Sequence, residues 1–421
     1  MNGRGLGPGA AAGYPRLRRP SVSSEESSAV TSHPFLDLAP LSAAHFASIE
    51  DRVAKLLGTS QDVVIMQGEA LLPLEGAIRA TAGPGTTALN IITGPYGQTF
   101  GNWLRDCGAT VIDLSVPFHT AVTAAQVRAA FAEHPSIDFV SLVHAEAATG
   151  NTNPVGEIGE VVREYGALFY LDAVASVGAE PVVPEAWGVD LCVIGAQKAM
   201  GGPAGVSAVS VSERAWARMA ANPGAPRRSY LSLLDWKERW VDAGRKVLLH
   251  APAQLEMLAL EACLSRIETD GLDAVMSRHA RAAAATRAGA LALGGGSELG
   301  RGLEAGGSPE LGGGLEAGRG LAPYVHDAAE AAPVATTLRA PAGVPASELV
   351  ARALEIDPSL PLAAGGGALA AEMIRVNHYG AHATLAVVLG CLSVLRDVLA
   401  ERGVPVGSGE SVREAAEAAW G

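Results

Sequence analysis

Two runs, Ala167-Leu-Phe-Tyr-Leu-Asp172 and Leu191-Cys-Val-Ile-Gly-Ala-Gln-Lys198, decide how this chain folds. Each is an apolar segment of strand length that ends on or just before a charged residue, and each is bounded by turn-forming sequence. Strands that are apolar throughout are covered on both faces, which is the habit of a parallel sheet between helices. In such sheets a ligand sits at the carboxyl ends of the strands, so Asp172 and Lys198 are expected to face one crevice.

The pattern extends outward in both directions. Helical spacing over residues 42–57 precedes a strand at Asp62–Met66 and a helix over 71–80. Strands at 88–93, 110–114 and 139–144 alternate with helices at 97–106, 121–133 and 157–165. Strands alternating with helices predict an α/β fold, here a large domain (35–255) with a mostly parallel sheet between helices. A helical segment (256–292) leads to a Gly-rich insertion (293–322), in which Glu-Leu-Gly and Leu-Glu-Ala-Gly recur. Beyond it, strands at 334–338 and 373–377 and helices at 346–353 and 381–400 predict a smaller C-terminal α/β domain (323–421). Residues 1–34, rich in Gly, Pro and Ser, read as a disordered tail.

Composition narrows the function. A formal charge of -13 opposes binding to nucleic acid or an anionic membrane, because both require a basic surface. Four scattered cysteines show neither zinc-ligand spacing nor a disulfide framework, and no apolar segment of signal or membrane-spanning length is present, so a cytoplasmic location is expected. No metal site is expected. A small-molecule substrate fits this balance.

Lysine is scarce: four among 31 Lys and Arg residues. Lys55, Lys237 and Lys246 lie in polar or charged surroundings, whereas Lys198 closes an apolar run and is followed by Ala-Met-Gly-Gly-Pro. An arginine would serve any ion pair, but only an amine can shed its proton and attack a carbonyl. A lysine and a buried carboxylate at neighbouring strand ends are the two parts required by pyridoxal 5′-phosphate: an amine for its aldehyde and an anion for its ring nitrogen. The same two residues could form a plain ion pair.

Further motifs join them in chain order: His144-Ala-Glu146-Ala-Ala-Thr149-Gly150, Asp172-Ala-Val174-Ala-Ser and Gly195-Ala-Gln197-Lys198. Together they resemble the class V aminotransferase family of fold type I pyridoxal-phosphate enzymes, over about residues 60–260 and again at Arg375. The resemblance implies Lys198 as the Schiff-base lysine and proton carrier, Asp172 on the ring nitrogen, Val174 and Tyr96 on the two ring faces, and Thr149 on the ring hydroxyl. It implies backbone N–H groups of Gly68, Glu69 and Ala70, with Gln197, for the phosphate, and Arg375 for the substrate carboxylate. His250 takes the place of a Thr-Pro pair that reaches a neighbouring subunit's phosphate, and His378 is a substrate-pocket candidate. The family implies a homodimer with active sites at the subunit interface, acting on a small-molecule amino donor and a 2-oxo acid of the pyruvate or glyoxylate type.

This chain departs from the family's pattern. Ser21 to His33 has no Gly-Pro segment, and the place of a second substrate arginine, found in the branch that acts on pyridoxamine, reads Ala364-Gly-Gly-Gly-Ala. Two other readings remain open: a β-eliminating carbon–sulfur lyase or decarboxylating deaminase using the same cofactor, and a non-catalytic cofactor-binding protein.

Overall fold

The computed structural model describes residues 38–294 and 320–421. The expected tail (1–34) and residues 295–319 of the expected insertion lie outside the described residues. From Leu41 onward the chain forms one compact unit.

Strands β1 (Asp62–Met66), β2 (Thr87–Ile92), β3 (Thr110–Ser115) and β4 (Phe139–Val143) come first, followed by a short antiparallel hairpin, β5 (Ala145–Glu146) and β6 (Asn151–Thr152). Next are β7 (Leu168–Asp172), β8 (Leu191–Gly195) and β9 (Ser207–Val211). A seven-stranded sheet runs β1-β9-β8-β7-β4-β2-β3, parallel except where β9 pairs antiparallel with β1 and β8. Every residue of β4, β7, β8 and β9 is buried, and for β7 and β8 the apolar runs predict this for strands covered on both faces. The edge strand β3 is partly exposed and carries alternating polar residues.

The antiparallel β9 has no counterpart among the expected strands. Its run Ser-Ala-Val-Ser-Val has strand propensity, but alternation with helices cannot reveal a strand that follows β8 through a loop. The helix expected over 121–133 starts later, at Ala124, where Thr123 and Gln126 form a capping box. The segment expected over 256–292 is two helices, Gln254–Asp270 and Leu272–Leu293, interrupted at Gly271.

A second, four-stranded antiparallel sheet comprises β10 (Ala322–Pro323), β11 (Ala335–Arg339), β12 (Leu362–Ala364) and β13 (Met373–Asn377), in the order β10-β11-β13-β12. One face, with Leu338, Ile374 and Val376, packs on helices Leu272–Leu293 and Ala346–Ile356. Around Ala335 and Val334 lies a layer of small residues that includes Ala145, Ala147, Ala175 and Ala199. Small side chains let the second sheet approach the carboxyl ends of β4, β7 and β8 closely, bringing Arg375 toward that edge.

Two buried polar side chains fix the helices that flank this edge. Tyr170, in β7, donates its hydroxyl to the Leu74 carbonyl at 3.2 Å and sets its ring edge-on to Phe100 at 5.4 Å, tying β7 to helices Leu71–Thr81 and Pro95–Asp106. Asn90, in β2, donates to the Gly97 carbonyl at 3.1 Å and accepts from Ser141 at 2.8 Å. Tyr170→Ala is expected to destabilise the protein by about 3–5 kcal/mol, and Tyr170→Phe, which leaves only the Leu74 carbonyl short of a partner, by about 1 kcal/mol. Urea unfolding checks both values; equal losses from the two variants would contradict the account.

Candidate active site

Five strand ends converge. The turn after β1 carries Gly68–Ala70, the helix that starts at Pro95 after β2 carries Tyr96, and the hairpin after β4 carries Glu146 and Thr149. Asp172 closes β7, and Lys198 follows β8. Val143 of β4 lies opposite Asp172, which lies opposite Val193 of β8, so these three ends are immediate neighbours.

Asp172 is buried, and its Oδ1 accepts the Val174 N–H at 2.9 Å. Burial raises its pKa to about 6, opposed first by the nearby Lys198 charge and then by the Val174 N–H. The Lys198 Nζ stands 5.3 Å from the centroid of the Tyr96 ring. Val174 is buried beside Asp172. Burial first, then the negative charges of Asp172, Glu146 and Glu69, push the Tyr96 phenol up, so it stays neutral.

The turn that holds Lys198 is tightly constrained. Gly201 donates its N–H to the Lys198 carbonyl at 2.9 Å, and Arg266 donates to the Met200 and Gly201 carbonyls at 2.8 and 2.9 Å. Gly201 has φ +66° and meets Gly380, itself at φ +52°; a Cβ on Gly201 would lie 2.8 Å from the Gly380 Cα. Only glycine supplies both the left-handed backbone and this approach. The contact joins the lysine turn to the segment that follows Arg375.

Arg375, in β13, lies opposite Thr337 of β11, whose hydroxyl donates to the Thr149 carbonyl at 2.7 Å. Directly paired antiparallel residues share a face, so Arg375 is on the side toward Thr149 and Gly150. Its Nε is buried without a protein partner, as is the Oδ1 of Asn377, two residues further along the same strand face. Orphaned buried polar atoms of this kind call for a partner from outside the chain, a water, an ion or a ligand. Thr149 is enclosed, with Oγ1 3.4 Å from the Glu146 carbonyl.

At the turn after β1, Glu69 is the occupant. One carboxylate oxygen accepts the Leu71 N–H at 2.8 Å and the other accepts the Gln197 amide at 2.8 Å. Ser207 donates to the Gly68 carbonyl at 2.8 Å, and Ala70 is buried at the helix start. His250 stacks on Tyr230 at 5.0 Å and meets Trp236 edge-on at 6.3 Å. Its segment reaches the same turn, because the Ala253 N–H donates to the Gln67 side chain at 2.5 Å. His378 is brought to a different place. It is wholly enclosed on the helix side of β13, with Nε2 2.9 Å from the Thr336 hydroxyl, and burial pushes its pKa down to about 3, keeping it neutral. It presents no surface to a substrate in this structure.

The sequence assigns no role to His144 or Glu146. Both are buried: His144 packs edge-on to Trp187 at 5.4 Å, its pKa pushed down to about 4 by burial, and Glu146 is pushed up to about 8, by burial first and then by Asp172. Charged residues between apolar strand ends were the available signal. Among the described residues, no group of three or more His, Cys, Asp or Glu could hold a metal, and no helix is long and apolar enough to cross a membrane.

Comparison with known proteins shows the family of the chain. The family model described as aminotransferase class-V matches residues 24–299. The pyridoxamine–pyruvate transaminase of Mesorhizobium japonicum is 30% identical over 370 residues, covering 88% of this chain and 87% of that protein. An alanine–glyoxylate aminotransferase of Drosophila melanogaster is 25% identical, covering 83% of each chain. The crystal structure of pyridoxamine-pyruvate aminotransferase from Mesorhizobium loti superimposes with a TM-score of 0.79 at 29% identity, covering 91% of each chain.

Several buried acids set the pH response of the cofactor-free protein. Glu146 titrates at about 8 and Glu50 and Glu180 at about 7 when folded, each raised mainly by burial, against 4.5 as the ordinary value. Between pH 6.5 and 8 the folded state therefore holds protons that the unfolded chain has released, and stability falls as pH rises. The histidines held neutral by burial, His144 and His378 among them, act the other way near pH 6.5, where the unfolded chain still protonates them, and so lessen the fall. Urea midpoints are expected to drop from pH 6.5 to pH 8 by the equivalent of about 1–2 kcal/mol; an unchanged or higher midpoint would contradict these assignments.

Proposed function

Because the chain belongs to the class V aminotransferase family, we propose that it moves an amino group from an amino acid or amine to a small 2-oxo acid of the pyruvate or glyoxylate type, with pyridoxal 5′-phosphate held on Lys198. The observation that carries this reading is the buried Asp172 beside Lys198 at adjacent strand ends, under the Tyr96 ring.

The residues suit a pyridoxal ring. Lys198 would offer the amine for its aldehyde, Asp172 an anion for its ring nitrogen, and Tyr96 and Val174 two faces, while Thr149 would serve its hydroxyl. When bound, the ring supplies an electron-accepting system that weakens the C–H bond beside the substrate nitrogen. Lys198, freed when substrate takes its place, would carry the proton off the substrate carbon and return it on the cofactor side. Asp172 acts by staying ionised in a low-dielectric pocket, where its charge keeps a proton on a nitrogen in contact with it. Arg375 would grip the substrate carboxylate with its guanidinium, whose buried Nε has no protein partner. The Gly68–Ala70 backbone N–H groups and Gln197 would serve the phosphate once Glu69 turns aside.

Leu71, Tyr230, Val247 and Leu255 are exposed, and their segments adjoin the Gly68–Ala70 turn and His250. Covering them with a second copy would place the site, with His250, at the interface of a homodimer. A cytoplasmic location accords with the four free cysteines.

One observation favours a narrower reading. Glu69 already occupies the Leu71 N–H and the Gln197 amide, and its charge opposes a phosphate there. A ring without a phosphate, such as pyridoxamine itself serving as the amino donor, suits that turn better, as the name of the Mesorhizobium relative suggests. Against it stand the glycines at 365–367, where a second arginine was expected.

Purified protein is expected to take up pyridoxal 5′-phosphate with a visible chromophore that borohydride bleaches, and to convert an amino donor only when a 2-oxo acid accepts the amino group. Lys198→Ala should abolish the chromophore and slow turnover by at least about 10²–10⁴-fold. Arg375→Ala should lower kcat/KM by about 10–100-fold through loss of charge-assisted bonds. Release of thiol or carbon dioxide without an acceptor would instead identify a lyase or deaminase. Turnover of pyridoxamine plus pyruvate to pyridoxal and alanine, with no phosphate ester added, would select the narrower reading.

A further inference from the structure

Glu146 has no part in the roles assigned so far, yet it lies at the centre of the site. It ends β5, directly beyond β4, and its side chain is wholly enclosed. Oε1 accepts the Tyr96 N–H at 3.3 Å, at the first turn of helix Pro95–Asp106. Gly94 leaves the room this needs, since a Cβ there would collide with the Glu146 side chain. Oε2 is buried with no partner. The Lys198 and Asp172 charges both act on it.

Two carboxyl groups thus share one dry pocket with a single lysine. Two like charges in such a place repel, so one of the pair stays protonated. Asp172 has the Val174 N–H and the stronger influence of Lys198; Glu146 has the Tyr96 N–H, with the Lys198 charge a smaller influence. The charged and titratable groups that face Glu146 are Asp172 from β7, Lys198 from the β8 turn and the Tyr96 phenol from the helix; His144, on its own segment, is neutral. We propose that Glu146 is a positioning residue that works as a neutral carboxylic acid: its accepting oxygen seats the Tyr96 backbone, and so the ring beside Lys198, while its protonation leaves Asp172 as the only anion of the pair. Ionising Glu146 would place a second negative charge beside Asp172 and compete for Lys198.

The inference rests on the reading of Asp172 and Lys198 given above, so its test has one arm that needs no bound cofactor. In cofactor-free protein at pH 7, the infrared difference between wild type and Glu146→Gln is expected to contain the carbonyl band of a protonated carboxylic acid, which disappears as pH is raised through about 8. A carboxylate band at pH 7 in its place would overturn the proposal whatever the protein catalyses. In the second arm, Glu146→Ala should lower kcat/KM by roughly 10²-fold through misplacement of Tyr96. Glu146→Gln, which keeps the acceptor and cannot ionise, should restore part of that loss and flatten the alkaline limb of the pH profile. Equal damage from both variants, or an alkaline limb unchanged in Glu146→Gln, would overturn it.

Discussion

The site depends on a carboxyl group kept out of water at the end of a central strand. Asp172 is buried because β7 is flanked by β4 and β8, both buried along their whole length. A carboxylate there is costly to ionise, and what offsets the cost is one backbone N–H from Val174 and the nearby charge of Lys198. That balance holds Asp172 at about 6, ionised at neutral pH yet poorly screened, so its field acts strongly on whatever lies against it. A surface carboxylate would be screened and would do far less.

The remainder of the fold keeps that geometry in place. Tyr170, directly before Leu171 and Asp172, anchors the two helices whose starts carry Glu69 and Tyr96. Arg266 and the glycine pair Gly201 and Gly380 hold the lysine turn against the second sheet, so Lys198 and Arg375 are positioned by one rigid contact. A layer of alanines lets that sheet come close enough to matter. Packing here serves to bring groups from distant parts of the chain within reach of one another.

Much of this was legible in the amino-acid order. Largely apolar runs located β4, β7 and β8, and the scarcity of lysine singled out Lys198. What stayed hidden has physical reasons. Periodicity carries no strand direction, so the antiparallel β9 went unassigned, and the helix Gly409–Trp420 follows a Gly-Pro-rich link that masks its onset. His378 reads like a pocket residue because it follows Arg375 by three positions, but the pleat and the turn beyond β13 direct it to the helix side, where Thr336 holds it. Glu146 lay in plain view, but only the fold shows that its carboxyl is dry, half-satisfied and next to a second acid.

The central claim is that a single lysine, at the end of β8 and beside the buried Asp172, forms a covalent bond with a pyridoxal aldehyde. Mass-spectrometric peptide mapping of the protein after loading with the aldehyde and reduction with borohydride tests it most directly, since the chain contains only four lysines. The account predicts one modified peptide, containing Lys198. An adduct on Lys55, Lys237 or Lys246 in preference to Lys198, or no adduct at all, would contradict it.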